Sequence, residues 1–251
     1  MAKLLVKPDY TIDMSAFDFS VLYEGDDYSQ SAKKFSVTYD DDFTDTFLGK
    51  GFKYNAGGEP TAGVVKTYIA QYDGDLVFKA TGLKIKATDL AEAGKTGTTK
   101  DDMALVEKAL AHNDTITGGD GRDVLYGFAG KDKLTGGEGG DDLYGGKGGD
   151  RFIFKSADES DDFAADRIFD FSSKEKDHID LKAIDADETS KGNGKFHFAG
   201  EGELSGEAGE LVYTKYSGMT FVFGDTDGDG AADLAIILMD DVDLKAGDFL
   251  L

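Results

Sequence analysis

Gly118-Gly-Asp-Gly-Arg-Asp-Val-Leu-Tyr126, Gly127-Phe-Ala-Gly-Lys-Asp-Lys-Leu-Thr135, Gly136-Gly-Glu-Gly-Gly-Asp-Asp-Leu-Tyr144 and Gly145-Gly-Lys-Gly-Gly-Asp-Arg-Phe-Ile153 are four consecutive nonapeptides in one register. A half unit, Asn113-Asp-Thr-Ile-Thr117, precedes them in phase. In every full unit positions one and four are glycine, position six is aspartate and position eight is large and apolar. The glycines admit sharp turns in backbone conformations closed to other residues, and they leave carbonyls room to point inward. The three residues centred on position eight suffice only for a short strand, its apolar side chain on one face and its neighbours on the other. Two units make one coil of turn, strand, turn and strand, and stacked coils make a parallel β-roll.

The period sets what lies above what. Residues eighteen apart superpose at the interstrand spacing of about 4.8 Å. Ile116, Leu134 and Phe152 then align along one sheet, and Leu125 and Leu143 along the other. Five such side chains supply on the order of 10 kcal/mol of burial, and ordering the segment costs several times that. The roll therefore needs a further source of stability. The aspartates stack as well, Asp114 with Asp132, Asp123 with Asp141, and Asp132 with Asp150. Facing carboxylates repel unless a hard cation sits between them. Calcium accepts six to eight oxygens from carboxylates and carbonyls, so it cancels the repulsion and adds folding energy. Three stacked pairs predict at least three sites. Phe128 and Ala129 depart from the pattern, which predicts weaker binding in the first turn of the second unit.

The remaining chain supports this reading. The net charge is −23. Residues 1–100 carry 12 basic and 15 acidic side chains, whereas residues 101–251 carry 15 and 35. Such an acidic half repels nucleic acid and anionic membranes. No stretch has the length of a membrane span, Met1–Tyr10 lacks the apolar core of a Sec signal peptide, and no cysteine is available for disulfides. Residues 1–112 read as a mostly β domain. Phe35–Tyr39 and Val64–Ile69 alternate as strands do, Asp73-Gly74 reads as a hairpin turn, and Asn55–Gly58 with Pro60 reads as a turn or loop. Thr99 and Asp102 have capping-box spacing. Met103, Val106, Ala109 and Leu110 then predict an amphipathic helix that could cap the open end of the roll. Residues 113–155 form the roll and 156–251 a C-terminal β domain.

A second acidic signature lies in Asp225-Thr-Asp-Gly-Asp-Gly-Ala-Ala-Asp233. It places carboxylates at positions 1, 3, 5 and 9 of an EF-hand-like loop, with Gly230 at position 6 and the Ala231 carbonyl at position 7. Position 12 is Ile236 instead of glutamate, so a partial calcium loop is expected from Asp225, Asp227, Asp229, Ala231 and Asp233. Its flanks, Thr220–Phe223 and Leu234–Leu238, read as strands.

The four nonapeptides resemble the RTX repeats of proteins exported by type I secretion. Asp150–Phe154, Asp166–Phe171, Asp177–Leu181, Gly209–Tyr213 and Gly224–Leu234 resemble the C-terminal domain of serralysin-type proteins. The resemblance implies a mainly β fold, with the roll merging into a β-sandwich. It also implies calcium held by the position-six aspartates and by the carbonyls of positions one to four. Those residues are Gly118, Gly119, Asp120, Gly121 and Asp123; Gly127, Ala129, Gly130 and Asp132; Gly136, Gly137, Glu138, Gly139 and Asp141; and Gly145, Gly146, Lys147, Gly148 and Asp150, with Asp114 from the half unit. It further implies an uncleaved export signal, which Asp248-Phe-Leu-Leu251 resembles. The zinc-protease motif of serralysins is missing, since His112, His178 and His197 are the only histidines and none has His-Glu-x-x-His spacing. No Gly-x-Ser-x-Gly elbow of a lipase is present. The expected function is a secreted, extracellular or cell-surface calcium-binding protein, non-catalytic, with the type I secretion apparatus and a glycan or cell surface as partners. The alternatives are a carbohydrate-active enzyme with its site in the N-terminal domain and a calcium-dependent surface-layer or matrix component.

Overall fold

Alternating apolar and polar residues between glycine- and asparagine-marked turns build an antiparallel sheet from the first half of the chain. In the computed structural model, which describes residues 1–161 and 163–251, its strands are β1 (Lys3–Val6), β2 (Asp27–Gln30), β3 (Lys34–Thr38), β4 (Phe43–Tyr54), β5 (Pro60–Tyr72) and β6 (Asp75–Lys86). They lie in the order β2-β3-β4-β5-β6-β1. The predicted hairpin turn joins β5 to β6, with Asp73 at φ 47° and Gly74 at φ 82°. Positive φ at both central residues matches the twist of the flanking strands. The Asn55–Glu59 turn joins β4 to β5, with Asn55 Oδ1 accepting the amides of Gly57 and Glu59 at 2.9 and 3.0 Å.

Two helices follow, α1 (Ala87–Ala93) and α2 (Thr99–Ala109). α1 was not foreseen, because seven residues give no second turn of apolar periodicity to read. It buries Ala87, Leu90, Ala91 and Ala93 and packs on β5 and β6. α2 buries Leu105 and Val106 against α1 and β6. The predicted capping box does not form. The N-cap is Thr98, whose hydroxyl donates to Asp101 at 2.8 Å, and Asp102 is fully buried.

The fold has two compact units, one of Met1–Lys7 with Asp13–Thr115 and the other of Pro8–Ile12 with Ile116–Leu251. The second unit is built from short parallel strands. They are β7 (Thr115–Thr117), β8 (Val124–Tyr126), β9 (Ala129–Gly130), β10 (Lys133–Thr135), β11 (Asp142–Tyr144), β12 (Lys147–Gly148), β13 (Arg151–Ile153), β14 (Asp166–Ile168) and β15 (His178–Asp180). Longer strands follow, β16 (His197–Glu201), β17 (Glu210–Tyr216), β18 (Met219–Asp225) and β19 (Leu234–Leu238), and then the short β20 (Phe249–Leu250). One sheet runs β7-β10-β13-β15-β20, the other β16-β17-β18-β19-β14-β11-β8. The predicted flanks of the acidic loop are β18 and β19, paired antiparallel.

The register is the one the period dictates. Leu134 pairs with Phe152 and Leu125 with Leu143, all of them buried. The ladder then runs on beyond the repeats. Phe152 is followed by Ile179 and Phe249 on one sheet, and Leu143 by Ile168 and Leu238 on the other. The roll thus merges into the C-terminal sheets through a continuous apolar column. The protein is mainly β. Among the described residues no helix is long and apolar enough to cross a membrane.

Candidate metal centre

Each position-six aspartate holds the coil beneath it. Asp123 N–H donates to Asp141 Oδ1 at 2.7 Å and Asp132 N–H to Asp150 Oδ1 at 2.8 Å. The pattern continues past the repeats, with Asp141 N–H on Asp166 Oδ1 at 2.9 Å and Asp150 N–H on Asp177 Oδ1 at 2.8 Å. One oxygen of each carboxylate is therefore committed to the stack. The other faces the turn of its own unit, where Asp123 Oδ2 accepts Gly119 N–H at 2.6 Å.

The position-one glycines make room for this second oxygen. A Cβ at Gly118 would overlap both Asp123 Oδ2 and the Gly136 carbonyl. A Cβ at Gly127 would meet the Gly145 carbonyl at 2.5 Å and Asp132 Oδ2 at 2.9 Å, and one at Gly136 would overlap Asp141 Oδ2. At Gly145 the clash is with Asp150 Oδ2, at 2.8 Å. Carboxylate and carbonyl oxygens of successive coils thus converge where only glycine fits. The position-two and position-four glycines serve the close stacking of turns. A Cβ at Gly137, Gly146 or Gly148 would overlap the carbonyls of Gly119, Phe128 and Gly130, and one at Gly139 would meet Gly121 at 2.9 Å. Phe128 takes φ 67° at the place where the next two units have glycine. The second turn therefore keeps its shape at the cost of a strained residue, and β9 and β12 still pair, Ala129 with Lys147 and Gly130 with Gly148. The side chains at position three, Asp120, Glu138 and Lys147, are exposed.

Burial gives the site its electrostatics. Asp114, Asp123, Asp132, Asp141 and Asp150 are each at most 1% exposed. Asp141 Oδ2 and Asp150 Oδ2 are buried with no hydrogen-bond partner among the described residues. Desolvation raises Asp141 to about 8, with repulsion from Asp123 and Asp142 adding to it. Desolvation likewise raises Asp150 and Asp177 to about 6, and neighbouring acids push in the same direction. Asp166 is raised well above its ordinary value by burial and by Asp141. These groups need either a proton or a cation to be comfortable. A buried set of carboxylate and carbonyl oxygens suits a hard divalent ion, and calcium fits it.

Asp166 and Asp177 were not predicted as site residues. Their signal was present, since Asp166-Arg-Ile168 and Asp177-His-Ile179 keep the aspartate-x-apolar core of the repeat. What they lack is the glycine frame. Asp170, also unforeseen, accepts the amides of Gly145 and Gly146 at 2.9 and 2.8 Å. At the other end Pro8–Ile12 supplies the stack without any motif. Ile12 N–H donates to Asp123 Oδ1, Asp120 N–H to the Pro8 carbonyl at 2.7 Å, and Val124 N–H to the Ile12 carbonyl at 2.8 Å. Asp114 similarly accepts the amide of Ala2.

The second predicted site is partly assembled. Asp225, Asp227 and Asp229 bring ligand oxygens within 4.8 Å of one another. Asp225 is fully buried and accepts Gly228 N–H at 2.6 Å and Gly230 N–H at 3.0 Å. Asp229 accepts the Ala231 amide at 2.7 Å. Asp233 instead closes the loop, accepting the amide and hydroxyl of Thr226 at 2.6 and 2.7 Å.

The family model described as Peptidase M10 serralysin C terminal matches residues 91–251. Domains of this RTX type typically bind calcium. A search of the curated proteins finds no match. Among solved structures, the AlgE6R3 subunit of the Azotobacter vinelandii mannuronan C5-epimerase is 31% identical, with 56% of this chain and 74% of that chain covered and a TM-score of 0.40. The AlgE6R2 subunit of the same enzyme is 28% identical over 56% and 85% of the two chains, with a TM-score of 0.38. Four glycine-framed repeats, a continuous aspartate stack and a family match over well over half its length place this chain in the Peptidase M10 serralysin C-terminal family.

Proposed function

We propose that this chain is a secreted RTX protein whose acidic half folds when calcium replaces protons in the aspartate stack. The carrying observation is that Asp141 and Asp150 each bury an oxygen without a hydrogen-bond partner among the described residues against a position-one glycine. In this reading the ions are held by Asp114, Asp123, Asp132, Asp141 and Asp150 with carbonyls of the intervening turns, and Asp166 and Asp177 extend the same stack. Asp225, Asp227 and Asp229 form a further, more exposed calcium loop.

Type I export fits this scheme. Metal-free, the facing carboxylates disfavour the roll, and the chain stays loose in a calcium-poor cytoplasm. Outside, calcium at roughly 10⁻⁴–10⁻³ M, the range of extracellular modules, folds it. The export-signal-like terminus supports the order of events. Phe249 is buried and β20 pairs with β15, so the folded state covers residues that an export apparatus would need to read. Residues 1–112 act as the binding part, non-catalytic, with residues 113–155 as the calcium roll and 156–251 as the part that carries the export signal.

Circular dichroism and thermal melting with calcium and with chelator test the folding switch. Gain of strand signal and a higher melting temperature on adding calcium are expected. Identical spectra and melting temperatures in both conditions would refute it.

A further inference from the structure

The first unit contains a cavity of about 350 Å³ that the calcium chemistry does not use. Its walls include six aromatic rings, Tyr23, Tyr28, Phe35, Phe47, Phe52 and Tyr54, with the buried α1 residues Leu90 and Ala91 opposite. The volume lies at the lower end of small-molecule sites, roughly 300–1,000 Å³. Tyr23 and Tyr28 are 44% and 46% exposed and mark its mouth, whereas Phe47 and Phe52 are buried.

The wall is built for the rings it carries. A Cβ at Gly63, which has φ 127°, would overlap the Phe52 ring, and one at Gly49 would meet that ring at 2.8 Å. Two glycines thus seat Phe52 flat against the strands. Phe35 and Phe47 stack at 6.1 Å.

The polar groups around the cavity are mostly committed elsewhere. Gln30 Nε2 donates to the Gly58 carbonyl at 2.6 Å, and the Tyr54 hydroxyl lies 3.1 Å from the carbonyls of Ser31 and Lys34. The Tyr23 hydroxyl donates to the Ala91 carbonyl at 3.1 Å. Glu59, the charged residue of the lining, accepts from Asn55 Nδ2 at 2.9 Å and shares Lys95 with Glu92, at 3.4 and 3.1 Å, so its carboxylate is already partnered. The Tyr28 hydroxyl accepts Gly25 N–H at 3.1 Å, which leaves its own proton available at the mouth. Aromatic walls favour a flat ring system through offset and edge contacts. With Glu59 already engaged by Asn55 and Lys95, the lining offers neither an anion nor a cation a free charged partner.

We propose that this cavity binds a neutral, ring-containing, largely apolar small molecule, with the Tyr28 hydroxyl donating to a single acceptor on it. The proposal stands apart from the calcium reading. The test titrates the full-length, calcium-loaded protein with the neutral fluorophore N-phenyl-1-naphthylamine, and with decanoate as a competitor. Saturable one-to-one binding is expected, with decanoate a poor competitor. Ala91→Phe, which fills the cavity, and Tyr28→Ala, which opens its exposed mouth, should each weaken binding by about tenfold or more. Tyr28→Ala, its folding checked by an unaltered melting temperature, serves should Ala91→Phe fail to fold. Absence of saturable binding would overturn the proposal, as would undiminished binding by Tyr28→Ala or by a folded Ala91→Phe. Tighter binding of decanoate than of the fluorophore would overturn the ligand class.

Discussion

Asp45 of the first unit and the aspartate stack of the second are buried carboxylates held in different ways; Asp102 of the first unit is fully buried too, with neither oxygen hydrogen-bonded among the described residues. In the first, Asp45 is 7% exposed, and the hydroxyls of Tyr68 and Tyr39 donate to its two oxygens at 2.9 and 3.0 Å. Burial raises its pKa, while the two tyrosines pull it back. In the second, Asp141 and Asp150 have one oxygen satisfied by backbone and the other by no hydrogen-bond donor among the described residues. A buried acid that the fold satisfies is a structural feature. A stack of buried acids whose second oxygens meet turn glycines and carbonyls is a donor set that suits a hard cation.

The largest expected effect separates the units directly. With chelator, hydrogen exchange should speed up across residues 113–181 and stay slow across β3–β6. At a thousandfold excess over its dissociation constant each ion contributes about 4 kcal/mol. Losing several should lower the melting temperature of the second unit by about 10 °C or more. Equal loss of protection in both units would erase the contrast.

Asp141→Asn sharpens it. The substitution removes one stacked charge, so calcium affinity should fall by about tenfold or more. The metal-free protein should become more stable, because the buried charge whose desolvation, and next whose repulsion by Asp123 and Asp142, raises Asp141 is removed. Calcium titration and chelator-treated melts of the variant and the wild type check both signs.

The pH dependence of the metal-free protein follows from the same groups. Asp150 and Asp177 at about 6 and Asp141 at about 8 bind protons more tightly folded than unfolded. Their contribution is fully present below about pH 4, the ordinary aspartate value, and is lost as pH rises through about 6 to 8. Chelator-treated protein should therefore melt higher at about pH 5 than at about pH 8. Calcium should narrow or reverse that gap.

The smallest effect is on the satisfied acid. Tyr39→Phe leaves Asp45 Oδ2 without its donor and should cost about 1–3 kcal/mol. Denaturant melts should give the same loss with calcium and with chelator.

What was legible in the sequence tracks how each part is held. The roll from Gly118 to Ile153 was readable because glycine frames every turn and the core takes one apolar residue per unit. Leu134 over Phe152 and Leu125 over Leu143 followed from arithmetic on the period. Past Ile153 the same column continues through Ile168 and Ile179, but longer insertions replace the glycine turns, so the period vanishes while the geometry persists. Pro8–Ile12 was illegible for a different reason. It contributes backbone amides and carbonyls to the roll, and backbone groups leave no mark in composition. The capping box misled because Thr98, Thr99, Asp101 and Asp102 offer two overlapping versions of one spacing, and the N-cap falls on Thr98, with its hydroxyl on Asp101. Of the acidic loop, the three leading carboxylates converge as the spacing implies, and Asp233 is drawn to Thr226.

Isothermal calorimetry of chelator-stripped protein titrated with calcium, run in two buffers of different ionisation heat, bears most directly on the stack. Saturable uptake of several ions is predicted, with proton release greater at about pH 6 than at about pH 9, where Asp150 and Asp177 have already lost theirs. No stoichiometric uptake, or uptake without proton release at the lower pH, would contradict it.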